Sequence, residues 1–132
     1  MPQLPDGEPA PASGEIPAEA LATISERPLA FYVHVPFCRV RCGYCDFNTY
    51  TPGELGSATA PAAFVDSALA ELDVAAKVLG AAGTKVPRVD TVFFGGGTPT
   101  LLPAADLGRL LHGIRDRFGL AADAEVTTEA NP

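Results

Sequence analysis

The sequence has little positive charge. Nine Lys and Arg residues stand against sixteen Asp and Glu residues, which gives the 132-residue chain a formal net charge of -7. Nucleic acids and anionic membrane surfaces are bound mainly through basic patches, so neither is expected as a partner. The chain also lacks an apolar run of about 18 residues, the length that a membrane span needs. Its N-terminus lacks the basic start and the apolar stretch of a secretory signal. These absences predict a cytoplasmic protein that is not integral to a membrane.

Cysteine is absent except in one short window. The chain has three cysteines, and Cys38, Cys42 and Cys45 all lie within Cys-Arg-Val-Arg-Cys-Gly-Tyr-Cys. An odd number of clustered thiols without a secretory signal argues against a disulfide framework and favours metal binding. The spacing suits a loop around one corner of an iron–sulfur cube, in which three thiolates leave one iron open. An open position at a metal indicates chemistry or ligand binding there.

Residues 1–28 differ in composition from the rest of the chain. Proline recurs at positions 2, 5, 9, 11, 17 and 28, and acidic residues outnumber basic ones. Such a segment buries too little apolar surface to offset the entropy lost on ordering. We therefore expect a disordered acidic extension, with a short helical turn at residues 18–24.

The remaining chain alternates between short β-forming runs and longer runs with helical spacing of apolar residues. The predicted order is a strand at 30–35, a helix at 61–79, a strand at 89–94, a helix at 103–118 and a strand at 125–130. Pro61 suits a first helical position with Thr59 as a nearby cap, and Gly80 and Gly83 are expected to end that helix. This alternation predicts an α/β fold, β-α-β-α-β, with a parallel sheet and right-handed crossovers.

Three distinctive segments come at the ends of the predicted strands. The cysteine window follows the first strand, the glycine run at residues 95–97 follows the second, and Glu129 lies at the end of the third. Because ligand sites in such folds form where parallel strands end, we expect these segments to converge on one site. A sheet of this size leaves edges uncovered, so residues 29–132 are predicted to be the front part of a longer domain.

The glycine run does not open directly into a helix, as a dinucleotide-binding motif would. Gly95, Gly96 and Gly97 are followed by Thr98 and Pro99 before the predicted helix begins. Glycine has no Cβ, so we expect this run to offer backbone amides and carbonyls to a ligand that carries both an amine and a carboxylate.

Together these motifs resemble the radical S-adenosylmethionine (SAM) superfamily. Four blocks, at residues 31–38, 45–48, 93–102 and 128–132, resemble more narrowly its oxygen-independent coproporphyrinogen III oxidase-like family. The resemblance implies that residues 29–132 form the first part of an incomplete TIM-like radical SAM barrel. It also implies that Cys38, Cys42 and Cys45 hold a 4Fe-4S cluster, with SAM on the open iron.

The residue two positions after the third cysteine separates the two main branches of that family. The oxidases carry a cysteine there, whereas this chain has Phe47 within Cys-Asp-Phe-Asn, which resembles the haem chaperone branch. The resemblance implies a protein that binds haem and delivers it to recipient haem proteins, and it assigns no catalytic residue here. The alternative is the sister enzyme, an oxygen-independent coproporphyrinogen III dehydrogenase of porphyrin biosynthesis.

The resemblance further implies which residues contact the cofactor. The matching positions are Tyr32, Gly96 and Glu129 for the SAM at the cluster, and Tyr44, Gly97 and Thr98 for a second SAM held by the oxidases. The local sequence alone leaves two other interpretations open. Tyr32 fits an aromatic residue of a strand core, and Glu129 fits a surface acid.

Two alternatives of another class also stay open. His34 precedes Cys38 by four residues, so His34 and the three cysteines could supply four zinc ligands to a structural module. Its position within a strand, at the base of the loop, disfavours this arrangement. A chain without the later strands of a barrel could also be a non-functional fragment with exposed strand edges.

Overall fold

The computed structural model describes residues 7, 9, 11–55, 61–81, 83 and 85–131. Residues 1–6, 8 and 10 of the predicted extension, the predicted cap Thr59 and Pro132 lie outside the described residues. Among the helices that the structure describes, none combines the length and apolar character needed to cross a membrane.

The described chain alternates strands and helices as the sequence predicts. The elements in order are α1 (Ala18–Thr23), a 3-10 turn (Ile24–Glu26), β1 (Leu29–Val35), α2 (Pro52–Leu55), α3 (Pro61–Ala81), β2 (Val89–Gly96), a second 3-10 turn (Pro99–Leu101), α4 (Ala104–Phe118) and β3 (Leu120–Thr128). The strands form one sheet in the order β1-β2-β3, and both pairings are parallel. The predicted α/β class and parallel topology are confirmed, as is the helical turn near residue 18.

The boundaries of β3 and α3 differ from those predicted. β3 begins at Leu120 rather than at residue 125 and ends at Thr128 rather than at residue 130. Gly119, with a φ of 73°, ends α4 and turns the chain directly into the strand. The alanine-rich start of β3 has low strand propensity. Only Leu120 is paired with β2 there, opposite Val89, and regular pairing resumes at Glu125 after a register irregularity. α3 continues through Gly80 to Ala81, and Gly83 follows it with a φ of 66°.

One face of the sheet is covered by α3 and α4. The buried apolar residues that pack together there are Val35, Phe37, Val65, Val89, Val92, Phe94, Leu102, Leu110 and Ile114. The two helices approach closely at Gly113, where a Cβ would lie 2.5 Å from the Cδ2 atom of Leu69. An ion pair of 2.7 Å between Arg117 and Asp73 also joins them, and its hydrogen bond lowers the pKa of Asp73.

The opposite face, which we call the open face, carries Tyr32, His34, Phe93 and Thr127. Tyr32, Phe93 and Thr127 are direct neighbours across the three strands, and the rings of Tyr32 and Phe93 stack with centroids 5.8 Å apart. Tyr32 keeps 53% of its surface exposed. The interpretation of Tyr32 as a core aromatic is therefore wrong, because the apolar core lies on the other side of β1.

Candidate functional site

The cysteines lie on a loop, residues 38–49, that is closed at its base. Phe37 and Tyr50 form an isolated parallel bridge. The Cys38 amide donates to the Tyr50 carbonyl at 3.0 Å, and the Tyr50 amide donates to the Pro36 carbonyl at 2.7 Å. The two ends of this cysteine loop are thereby fixed next to the carboxyl end of β1.

A second contact braces the loop from outside. The Arg41 guanidinium donates to the Thr49 carbonyl and to the Glu54 carboxylate at 3.2 Å. Glu54 also accepts from the amide of Thr51 at 2.8 Å and from its hydroxyl at 2.9 Å. These hydrogen bonds from Thr51, with a smaller contribution from the Arg41 charge, hold the pKa of Glu54 below its ordinary value. Arg41 thus links the cysteine loop to the start of α2.

All three predicted segments line one recess, which we call the cysteine recess. It has a volume of about 360 Å³. Its lining residues are Cys38, Val40, Cys42, Tyr44, Cys45, Phe47, Gly96, Gly97, Thr98, Glu129, Ala130 and Asn131. The expected convergence at the carboxyl ends of the strands is confirmed. Of the predicted site residues only Tyr32 lies outside this lining, on the open face next to the glycine run.

The donor chemistry of the recess fits an iron–sulfur cluster. Cys38 and Cys45 are partly buried, Cys42 is exposed, and all three thiols are free. Thiolates are the usual ligands of such clusters, and each binds a different iron at a separate corner. A single zinc ion instead requires every sulfur within about 2.3 Å. Among the described residues no three His, Cys, Asp or Glu side chains converge on one such point.

His34, the fourth ligand of the zinc alternative, is engaged elsewhere. Its Nδ1 atom lies 3.0 Å from the Tyr32 hydroxyl, and its Nε2 atom lies 2.8 Å from the carbonyl oxygen of Asn48. Because an imidazole binds a metal through a free ring nitrogen, this geometry opposes a zinc site built on His34.

The glycine run is packed against the protein rather than left open. The Gly97 amide donates to the Val35 carbonyl at 2.8 Å, and the Thr98 amide donates to the Phe37 carbonyl at 2.7 Å. A Cβ on Gly97 would collide with the Phe37 carbonyl and lie 3.0 Å from the Cys38 sulfur. Gly97 is therefore needed so that the end of β2 can pass beneath the first cysteine.

The expectation that this run offers its amides to a ligand is wrong for Gly96 and Gly97, whose amides are bonded within the protein. The Gly96 amide is also used internally, because it donates to the Glu129 carboxylate at 3.0 Å. The Glu129 amide in turn donates to the Phe94 carbonyl at 3.0 Å. Glu129 is thus held beside the glycine run by two hydrogen bonds, one through its backbone and one through its side chain.

Tyr32 and Glu129 also interact electrostatically. Burial of part of the phenol raises the pKa of Tyr32, and the nearby Glu129 carboxylate raises it further. Both effects disfavour the phenolate, so Tyr32 keeps its hydroxyl proton at neutral pH.

Sequence reasoning missed the residues that hold the loop in place. Arg41, Glu54 and the His34–Asn48 contact were not predicted as parts of the site. The segment Thr51-Pro52-Gly53-Glu54 does have the spacing of a helix capping box, with proline at the first helical position. That signal predicts the short helix α2 and the reach of Glu54 back to Thr51.

The sequence and the fold of this chain are similar to those of known proteins. The sequence profile of the radical SAM superfamily matches residues 32–132. The chain is 53% identical over 112 residues to the haem chaperone HemW of Mycobacterium tuberculosis (strain ATCC 25618 / H37Rv), covering 85% of this chain and 27% of that protein. It is 44% identical over 106 residues to the haem chaperone HemW of Escherichia coli (strain K12), covering 80% of this chain and 26% of that protein.

A solved structure is also similar. Coproporphyrinogen III oxidase (HemN) from Escherichia coli, described as a radical SAM enzyme, superposes with a TM-score of 0.68 at 34% sequence identity. The match covers 85% of this chain and 24% of that one. The chain thus spans about a quarter of the length of the proteins that it matches.

Proposed function

The chain belongs to the radical SAM superfamily, and from this premise we propose that it supplies the cluster-binding part of a haem chaperone. One observation carries the proposal. The three clustered cysteines, the glycine run and Glu129 line the same recess at the carboxyl ends of the strands.

Cys38, Cys42 and Cys45 would hold a 4Fe-4S cluster in this recess. Such a cluster supplies one-electron chemistry and one open iron to which SAM attaches through its amine and carboxylate. The protein contributes position: the Phe37–Tyr50 bridge closes the loop, and Arg41 braces it.

We propose the cofactor contacts residue by residue from the family resemblance. Tyr32, Gly96 and Glu129 would contact the SAM at the cluster. Gly96 and Glu129 are already joined by a 3.0 Å hydrogen bond, so the two residues would contact SAM together. The positions matched to a second SAM are Tyr44, Gly97 and Thr98, and all three line the recess.

The haem chaperone function is preferred because of residue 47. Phe47 occupies the position at which the oxidase branch carries a further cysteine, and its side chain lines the recess while remaining 61% exposed. The haem chaperones named above are also similar in sequence over most of this chain. We propose that the protein binds haem and passes it to haem proteins in the cytoplasm.

Coproporphyrinogen III oxidation is the second candidate, supported by the structural likeness to the oxidase. Two assays on the full chain test the proposal, the first on the chemistry that both candidates share and the second on the difference between them. Anaerobic reconstitution with iron and sulfide, followed by EPR of the reduced protein with and without SAM, tests the shared chemistry. A 4Fe-4S signal that changes shape on addition of SAM is expected, and a content of one zinc without a cluster would refute it.

The second assay compares the two functions directly. We expect the reconstituted chain to bind haem, detected as a shift of the haem absorption band, and to leave coproporphyrinogen III unchanged in the presence of SAM and a reductant. Conversion of coproporphyrinogen without haem binding would overturn the chaperone proposal in favour of the oxidase.

A further inference from the structure

His34 connects two parts of the candidate site. It lies on the open face of β1, next to Tyr32 and below the cysteine loop. Its imidazole contacts the Tyr32 hydroxyl through Nδ1 at 3.0 Å and the Asn48 carbonyl through Nε2 at 2.8 Å. A single ring therefore touches both a predicted cofactor contact and the last part of the loop that carries the cysteines.

The chemistry of these two contacts fixes the direction of each hydrogen bond. The Asn48 carbonyl oxygen can only accept, so Nε2 must carry the proton that it donates. In the neutral ring Nδ1 then has a free lone pair and accepts from the Tyr32 hydroxyl. The chain of donors runs from Tyr32 through His34 to Asn48, which fixes both the His34 tautomer and the orientation of the Tyr32 proton.

Gly96 provides the space for this ring. A Cβ at Gly96 would lie 2.7 Å from the Cε1 atom and 2.8 Å from the Nδ1 atom of His34. The imidazole thus packs against the bare backbone of β2 on one side. Its position is set by sterics as well as by hydrogen bonds, so the ring cannot turn without losing one of them.

The Asn48 end of the loop is where support is needed. The neighbouring residue Thr49 is 2% exposed, and its hydroxyl lies 4.0 Å from the Cys45 sulfur. A displacement of residues 48 and 49 would therefore move Cys45. The Tyr50 bridge fixes the chain beyond this point and Arg41 holds the Thr49 carbonyl, so His34 supplies the contact at residue 48 itself.

We propose that His34 is a positioning residue that fixes the Cys45 end of the cysteine loop and the Tyr32 hydroxyl at the same time. The part that concerns Tyr32 and SAM rests on the proposed function, whereas the part that concerns the loop does not. No metal is needed for His34 to order the loop.

Two substitutions test the two hydrogen bonds of the His34 ring separately. His34→Gln places an amide donor near the position of Nε2 and keeps a hydrogen bond to Asn48. His34→Asn places a carbonyl acceptor near the position of Nδ1 and keeps the bond from Tyr32, but it is too short to reach Asn48. Tyr32→Phe removes only the hydroxyl and serves as the matched control.

The first readout uses the metal-free full chain. The alkylation rates of the three thiols are measured under native conditions by mass spectrometry, with circular dichroism and thermal unfolding as the fold control. We expect His34→Asn to raise the rate at Cys45 about fivefold, the size that one net hydrogen bond gives, while the exposed Cys42 stays unchanged. His34→Gln and Tyr32→Phe are expected to keep the rate of the unsubstituted chain.

The second readout uses the reconstituted chain. We expect His34→Gln and Tyr32→Phe to keep a full 4Fe-4S signal. In both variants the effect of SAM on the EPR line shape should differ in the same way from its effect on the unsubstituted chain. Equal Cys45 rates in His34→Asn and the unsubstituted chain, with equal thermal stability, would overturn the proposal. Absence of a cluster in every variant, together with the expected difference in alkylation, would refute the proposed function and leave the role of His34 in the loop intact.

Discussion

Val35, the last residue of β1, is fully buried, whereas Tyr44 in the cysteine loop that follows is 92% exposed. Val35 is held by the apolar side chains of the core beneath α3 and α4. The loop is held instead by a few polar contacts: the Phe37–Tyr50 bridge, the Arg41–Glu54 pair and the His34–Asn48 hydrogen bond. Substitutions in the two regions should therefore have separable effects, on global stability in the core and on metal binding in the loop.

The largest expected effect tests the loop side of this comparison. Cys42→Ala should abolish cluster binding, because two thiolates cannot hold the cube firmly, while the free energy of unfolding changes little since Cys42 is exposed. Iron and sulfide content after reconstitution, together with EPR, measures the first effect, and urea unfolding measures the second. Asp46→Ala, an exposed substitution in the same loop, is the control. An undiminished 4Fe-4S signal in Cys42→Ala would contradict the assignment.

The next effect tests the core side. Phe94 is 3% exposed, and Phe94→Ala should lower the free energy of unfolding by about 3–5 kcal/mol, because it leaves a cavity against the helices. Thr128→Ala is the matched control, since Thr128 is the direct neighbour of Phe94 in β3 but is exposed. Its effect should stay within about 0.5 kcal/mol. Equal losses of unfolding free energy in the two variants would show that packing against α3 and α4 does not stabilise Phe94 more than Thr128.

Gly97→Ala should affect both regions, because Gly97 lies where they meet. The new Cβ would collide with the Phe37 carbonyl, and a backbone atom cannot move away as a flexible side chain can. We expect a destabilisation of roughly 1–3 kcal/mol together with a reduced cluster content. Gly108→Ala in α4 is the control, since a Cβ there meets nothing within 4 Å, and it should be slightly stabilising. Full cluster content in Gly97→Ala would show that Gly97 affects only the stability of the core, and it would contradict a role for Gly97 in both regions.

The smallest effect concerns the contact between Arg41 and Glu54 outside the cysteine loop, and it depends on pH. The pKa of Glu54 is lowered in the folded chain, first by the hydrogen bonds from Thr51, so its contribution to stability is present above the pKa of an unfolded glutamate. It is lost as the pH falls through the lower, folded value. Glu54→Gln should therefore be slightly less stable than the unsubstituted chain at pH 7, and the difference should shrink in acid. Urea unfolding at several pH values checks this, and a difference that grows in acid would have the wrong sign.

The parts of the fold that could be predicted from the sequence depend on local patterns. β-formers such as Phe31 and Val33 identify β1, and the parallel topology alone brings the loops to one edge of the sheet. The start of β3 could not be predicted in this way, because its alanines have low strand propensity and regular pairing with β2 begins only at Glu125.

The contacts inside the site were likewise beyond the reach of the local sequence. Gly96, Gly97 and Thr98 are recognisable as a ligand-type run, but whether their amides face a ligand or the protein depends on where Val35, Phe37 and Glu129 come to lie. The contact between His34 and Asn48 joins positions on a strand and a distant part of a loop. Only the capping-box spacing of Thr51 and Glu54 was readable beforehand.

The bridge between Phe37 and Tyr50 has a consequence for the affinity and the kinetics of metal binding. Closing a flexible loop costs configurational entropy that grows with the logarithm of its length. Here the bridge closes residues 38–49 in the metal-free chain, so this entropy is already lost before any iron arrives. The closed loop keeps the three free thiols on one short segment, so in the proposed site the binding of one iron by one thiolate would raise the effective concentration of the other two. Loss of the cluster would require several thiolates to dissociate together, and the bridged loop would retain its iron for longer than the same residues in an open chain.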